Sequence, residues 1–188
     1  MDPNEHVNEM FEAVWAAPHE LDRRLVLADA LLEAGDPRGE FIALQFETSA
    51  RARKRAQKLL DRHRRRFLGR LESAIFVGTE VWRHGFVVSA TVRLVGDHVE
   101  LKAWATVERL VGCLTAFEPK ELASPHLRSL RVVELIPPET VRSAAPWLRE
   151  ERLARTLDGA RGWLAKAGRA HVLHRGREWH AGLPRPHA

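Results

Sequence analysis

The chain has one cysteine, Cys113, and no tyrosine among its 188 residues. A lone cysteine excludes an internal disulfide and any metal site built on a Cys-x-x-Cys pair. No stretch of 18 or more apolar residues occurs, so no segment is predicted to span a membrane. The opening residues Met1-Asp2-Pro3-Asn4-Glu5 are acidic and polar, unlike a secretory leader. A cytoplasmic protein is expected. There is no Gly-x-Ser-x-Gly elbow, no glycine-rich phosphate loop and no dinucleotide fingerprint. These absences remove the commonest hydrolase, nucleotide-binding and redox signatures.

What the chain does have is apolar residues, 45% of the total, enough for a real core, and a charge of +5 with a pI near 10.1. That balance weakly favours acidic partners. The length suits one domain, or one domain with a helical preface.

The most tightly specified stretch runs from Leu21 to Gln45. Leu21, Leu25, Ala28, Leu31 and Leu32 recur at helical spacing and predict one apolar stripe. Asp22 lies at the front of that helix, where the dipole favours a carboxylate. Gly35 follows the last apolar turn and suits a left-handed cap. Asp36 can cap the next helix, with Pro37 at its first position and Phe41 and Leu44 on one face. The result is a tight helical hairpin.

The run Arg24-Leu25-Val26-Leu27-Ala28-Asp29, followed by Leu31-Leu32-Glu33-Ala34-Gly35-Asp36-Pro37-Arg38-Gly39-Glu40-Phe41-Ile42, resembles the repeat-companion domain. That is a bacterial paralogous family often found ahead of leucine-rich-like repeats. The family usually carries Trp after the Ala-Asp pair, where this chain has Ala30. The resemblance implies a helical cap before a repeat region. It implies no activity and brings no catalytic residues.

Before the hairpin, Asn8 to Ala17 predicts a helix with Val7, Met10, Phe11, Val14 and Trp15 on one face. After it, Ser49 to Leu71 predicts a long basic helix. Ten Lys or Arg lie between Arg51 and Arg70 against Asp61 alone. Arg51, Arg55, Lys58, Arg62 and Arg65 line one side. Ala52, Ala56, Leu59, Leu60, Phe67 and Leu71 lie toward the other. A solvated outer face explains the charge, and a nucleic-acid-binding surface is the alternative.

From Phe86 the spacing changes to that of strands, with Val88, Ala90, Val92 and Leu94 alternating. Phe86, Ser89, Val92 and Leu94 match Leu127, Leu130, Val133 and Leu135 at an offset of 41, and Val107, Leu110 and Cys113 fall between. Half of that offset lies in the leucine-rich range of about 20–29 residues. The segment Leu122 to Leu135 reads as one such turn, which breaks where Pro138 replaces the usual Asn. Two alternatives stand for the middle. Val88–Leu94 and Val99–Ala103 could form a hairpin through Gly96-Asp97, and Val107, Leu110, Val111 and Leu114 also fit a helix. Residues 139–167 read as mostly helical, Ala170 to His174 as a last strand.

Three clusters invite chemistry. Asp29, Glu33, Asp36 and Glu40 lie near Arg23, Arg24 and Arg38. Capping explains Asp36 and exposed faces explain the glutamates, leaving Asp29 to hold the hairpin by a hydrogen bond or ion pair. His171, His174 and His180, with His187 beyond, offer no closed ligand set beside Arg169, Arg175 and Arg177. Cys113 reads as buried packing. No metal, cofactor or catalytic residue is expected.

The expected fold is therefore α/β. A helical repeat-companion-like region over 1–72 leads into a short, irregular leucine-rich-repeat-like α/β region over 73–180, with a loose tail at 181–188. The expected function is a non-enzymatic protein-interaction module, a scaffold or adaptor. Its partner surface is expected at the exposed strand positions Arg93, Arg128, Arg131 and Glu134, with Trp82 and Arg83 at the entry. The alternative is nucleic-acid binding through Arg51, Arg55, Lys58, Arg62 and Arg65.

Overall fold

A computed structural model describes residues 3–93, 98–112, 124–135, 171–174 and 177–179. Cys113, the segment 139–167, His180, His187 and the tail at 181–188 lie outside the described residues.

Four helices come first: α1 (Pro3–Ala16), α2 (Leu21–Glu33), α3 (Pro37–Leu44) and α4 (Ala50–Leu68). The first helix begins at Pro3 rather than Asn8. Proline is well tolerated in a first turn, and no breaker separates it from the apolar face. Val14 is fully buried on that face, with Val7, Met10 and Phe11 packed around it.

The α2–α3 corner forms as its residues dictate. Ala34 ends α2, and Gly35 takes φ +69°. The Gly35 N–H donates to the Leu32 carbonyl at 3.0 Å and the Asp36 N–H to the Leu31 carbonyl at 2.8 Å. This paired arrangement is a Schellman motif. The Asp36 carboxylate accepts from the Arg38 N–H at 2.9 Å, and Pro37 opens α3. Gly39 then makes the hairpin tight. A Cβ there would stand 2.6 Å from the Ala28 carbonyl oxygen and 2.7 Å from the Leu32 nitrogen. The two helices approach backbone to backbone at a point only glycine allows.

The buried stripe of α2 differs from the expected one. Leu21, Leu25 and Leu32 are exposed at 42%, 40% and 47%, while Arg24, Leu27, Ala28 and Leu31 are buried. The helix touches both α1 and α3, so its core face is rotated toward them. That face includes a charged residue, which an apolar pattern skips.

Helix α4 is capped by the Ser49 hydroxyl, which accepts from the Ala52 N–H at 3.1 Å. It ends earlier than Leu71, because Gly69 takes φ +54° and a 3-10 helix (Gly69–Ser73) follows. Ala52, Ala56, Leu60, Phe67 and Leu68 form its buried face. Phe41 of α3 packs into the same cluster and stacks on Phe67 at 5.2 Å between ring centroids.

Among the described residues that follow, the arrangement is mixed α/β around a six-stranded sheet in chain order: β1 (Val81–Arg83), β2 (Phe86–Thr91), β3 (Arg109–Gly112), β4 (Val132–Leu135), β5 (His171–His174) and β6 (Arg177–Trp179). The outer pairs β1–β2 and β5–β6 are antiparallel, and the inner pairs are parallel. The β1–β2 hairpin turns at His84 (φ 49°) and Gly85 (φ 80°), both left-handed as a tight hairpin turn requires. So the hairpin lies one strand earlier than Val88–Leu94 with Val99–Ala103. Residues Lys102–Thr106 form a 3-10 helix instead, and Val107 precedes a strand, not a helix.

Ser89 pairs with Arg109 and Arg109 with Val132, steps of 20 and 23 residues. The combined step is 43, not 41. The error of two leaves the faces right, because side chains alternate with period two. Ala90, Leu110 and Val133 point into a core shared with Leu68, Leu71, Ile75, Trp104 and Leu130. The turn at 69–73 contributes Leu71 to this core, so burial runs continuously across position 72. Trp104 is fully buried and donates its indole N–H to the His98 carbonyl at 2.7 Å. No helix among the described residues is long and apolar enough to cross a membrane.

Candidate functional site

Among the described residues four places are candidates for function: the seam between the helices and the hairpin, the outer face of the sheet, a cleft beside the α1–α2 turn, and the outer face of α4.

At the seam, two arginines from the α2–α3 motif are turned inward. Arg24 is 4% exposed and donates to the Arg83 carbonyl at 3.0 Å and the Pro18 carbonyl at 2.6 Å. Its guanidinium lies 5.0 Å from the Phe86 ring centroid. Burial lowers its pKa, opposed by the charge of Glu108 and reinforced by Arg83. Arg38 donates to the Phe67 carbonyl at 3.0 Å and the Gly85 carbonyl at 3.3 Å. It sits 4.9 Å from the Phe11 ring and 5.1 Å from the Phe86 ring. Burial lowers its pKa to about 10, against the raising effect of Asp36, so it stays charged at neutral pH. The Gly85 N–H is held in turn by the Gln45 side-chain oxygen at 2.7 Å. A Cβ on Gly85 would clash with the Ile42 side chain. These groups fasten α2 and α3 to the hairpin tip.

His84 completes the seam. Its ring stacks on Phe46 at 4.4 Å, and its Nδ1 is buried with no hydrogen-bond partner among the described residues. Burial lowers its pKa, aided by Arg24 and then Arg83.

The acidic cluster read from sequence is dispersed. Asp36 caps α3 and pairs with Arg66 at 2.7 Å, and Glu40 pairs with Arg55. Asp29 is exposed and makes no hydrogen bond or ion pair among the described residues, so it does not hold the hairpin. The fastening comes from arginines and backbone carbonyls instead, since carbonyls at helix ends and turns need donors. Among the described residues the carboxylate that ties elements together from a fully buried position is Glu80, which sequence reading missed. Its side chain is fully buried and accepts from Arg64 at 2.6 Å, the Gly78 N–H at 2.6 Å and the Trp82 indole at 3.4 Å.

The expected partner residues do not form one patch. Trp82 is packed rather than exposed, with its ring edge-on to Phe41 at 5.6 Å. Its strand position faces α3 and α4, which an isolated strand pattern cannot tell. Arg83 is exposed and pairs with Glu108 at 3.3 Å. Arg93 lies past the end of β2, its guanidinium over Phe76 at 5.2 Å. Arg128 belongs to a turn, not a strand, and donates to the Ala16 carbonyl of α1 at 3.1 Å. Arg131 is exposed just before β4. Glu134 does lie on the outer sheet face, paired with Arg109 of the neighbouring strand. Ser89, Thr91, Val111 and Val132 share that face by alternation. Arg109 and Val111 were legible from the strand register but not from the looser offset of 41.

A cleft of about 540 Å³ opens between the α1–α2 turn and the approach to β4, lined by Pro18, His19, Glu20 and Arg128 to Arg131. Ser129 is buried, and its hydroxyl lies 3.5 Å from His19 Nε2. That distance is long for a nucleophile and its base, and no carboxylate orients the imidazole among the described residues. Among those residues no group of three or more His, Cys, Asp or Glu could hold a metal ion. The strand positions of His171 and His174 are described, their side chains are not.

On α4, the sequence-predicted cations divide into two sets. Arg55 pairs with Glu40 and Arg65 with Glu72 at 3.1 Å. Arg51, Lys58 and Arg62 are exposed and make no hydrogen bond or ion pair among the described residues, and neither does Lys54.

No family model, curated protein or solved structure matches this chain.

Proposed function

We propose that the protein is a non-enzymatic interaction module that presents the outer face of its parallel strands to a protein partner. On this reading the α1–α4 unit is a repeat-companion-like cap, and β2 to β4 are turns of a short, irregular leucine-rich-like stack. The observation that carries it is the parallel, chain-ordered pairing Ser89–Arg109–Val132 at steps of 20 and 23 residues. That is the layout of a solenoid, in which each turn adds one strand to a continuous face. The 3-10 turns Lys102–Thr106 and Pro125–Leu127 stand where such repeats place their return segments. The outer face has the mixed character of a recognition surface, with Val111 and Val132 beside the Arg109–Glu134 pair. The best candidates are Arg109, Val111 and Glu134, with Arg83 and Arg131 at the edges. Trp82, Arg93 and Arg128 are left out because each is engaged elsewhere.

The test is quantitative affinity capture with wild type and the double variant Val111→Asp/Glu134→Arg, both after nuclease treatment. A specific protein enriched by wild type and lost with the variant, whose melting curve stays unchanged, is the expected result. A captured protein indifferent to the variant would sink the assignment of this face.

A further inference from the structure

We infer that the outer ridge of α4 binds the phosphate backbone of a nucleic-acid duplex, independently of sequence. The inference does not rest on the scaffold reading and uses a different surface.

The ridge consists of Arg51, Lys54, Lys58 and Arg62. They follow one another at steps of three, four and four residues, so they line a single helix face. At 1.5 Å per residue the row is about 16 Å long. All four are exposed, with no hydrogen bond or ion pair among the described residues. The acid within α4, Asp61, accepts from Gln57 at 2.7 Å and lies 3.7 Å from Arg64. Glu40 holds Arg55, Glu72 holds Arg65, Asp36 holds Arg66, and Glu80 holds Arg64. These carboxylates are paired with Arg55, Arg64, Arg65 and Arg66, and none of them pairs with the four ridge cations. A solvated face requires no such sorting, whereas a polyanion site requires a row of unpaired donors.

Three observations narrow the partner. The apolar face of α4 is buried on α3 and the hairpin through Ala56, Leu60 and Phe67. A helix that seats on a membrane must sink that face into lipid, so a lipid surface is disfavoured. No aromatic side chain stands on the crest, which removes the stacking platform that single strands use. None of the four crest residues lines the described clefts, and an apolar pocket is the usual anchor of a peptide partner. What remains is regularly spaced charge, the chemistry of backbone contact with a duplex.

The experiment is fluorescence anisotropy with a mixed-sequence DNA duplex, titrated at several salt concentrations. Four phosphate contacts predict a log–log salt slope of about −3.6 and a loss of about 150-fold in affinity between 50 and 200 mM salt. The variant Arg51→Gln/Lys54→Gln/Lys58→Gln/Arg62→Gln should flatten that slope and abolish binding. Gln keeps helix propensity nearly level, and circular dichroism reports whether the helix survives. The control Arg55→Gln/Arg65→Gln, which removes cations already paired, should bind nearly as wild type. Should the fourfold variant unfold, the wild-type slope decides alone. A slope near zero, equal loss in the control, tighter binding to single strands, or equal competition by poly-glutamate or anionic vesicles would each overturn the inference.

Discussion

The α2–α3 corner and helix α4 both carry arginine, and they use it in opposite ways. At the corner, Arg24 and Arg38 point inward, stack near Phe86 and saturate carbonyls of the loop before α2, the end of α4 and the hairpin. On α4, Arg51, Lys54, Lys58 and Arg62 point to solvent over a buried stripe. The guanidinium of Arg51 or Arg62 is that of Arg24 or Arg38; what differs is whether unpaired carbonyls and ring faces lie within reach. The comparison teaches that a highly specific motif need not mark a reactive site. Here its specificity is spent on fastening, and the surfaces open to a partner lie outside it.

The sharpest way to break this contrast is to pry the corner open. Gly39→Ala places a methyl against backbone atoms at 2.6 and 2.7 Å, and backbone cannot step aside as a side-chain tip can. A loss of about 3 kcal/mol or more is expected in denaturant unfolding, or failure to fold. Gly35→Ala is the comparator, since its Cβ would meet nothing within 4 Å. Only left-handed strain is added there, about 1 kcal/mol. Equal effects at the two positions would show that close approach does not hold the helices.

Next in size is Arg38→Met. It keeps an unbranched apolar stem among Phe11, Phe67 and Phe86 but leaves the Phe67 and Gly85 carbonyls without their donor. Destabilisation of about 2–3 kcal/mol is expected. A cost below about 0.5 kcal/mol, the usual scale for a surface cation, would erase the distinction between corner and α4.

The smallest expected effect concerns His84, whose pKa is lowered by burial and by Arg24 and Arg83. Its folded pKa lies below its unfolded value, so the unfolded chain binds more protons in the window just below the ordinary histidine pKa of about 6.5. Its contribution is therefore fully present above that value and is lost as pH falls through the folded pKa. Melting temperature should drop more steeply on the acid side for wild type than for His84→Asn, which still tolerates positive φ. Parallel curves would mean that its pKa is not lowered.

Much of the corner was legible because its signals are local. A glycine after an apolar turn, an aspartate and a proline each act within a few residues, and Gly35, Asp36 and Pro37 took the expected roles. The stripe of α2 was misread for a physical reason. Hydrophobic periodicity treats Arg24 as a surface residue, yet a guanidinium can be buried where it meets carbonyls and rings. The strand alternation from Val88 to Val92 survived a register error of two residues, while the individual partners of each strand did not.

By itself, then, the sequence determined the cap and break at the α2–α3 corner, the amphipathic division of α4 and the alternation of β2, all consequences of short-range stereochemistry and periodicity. Only the tertiary structure decided which arginines go inside, that Trp82 is packed and Arg128 braces α1, and which cations on α4 are left without an acid. Those outcomes depend on carbonyls, rings and carboxylates brought together from distant positions, such as Arg38 with Gly85 and Arg64 with Glu80. A chain read in order carries no record of those distances.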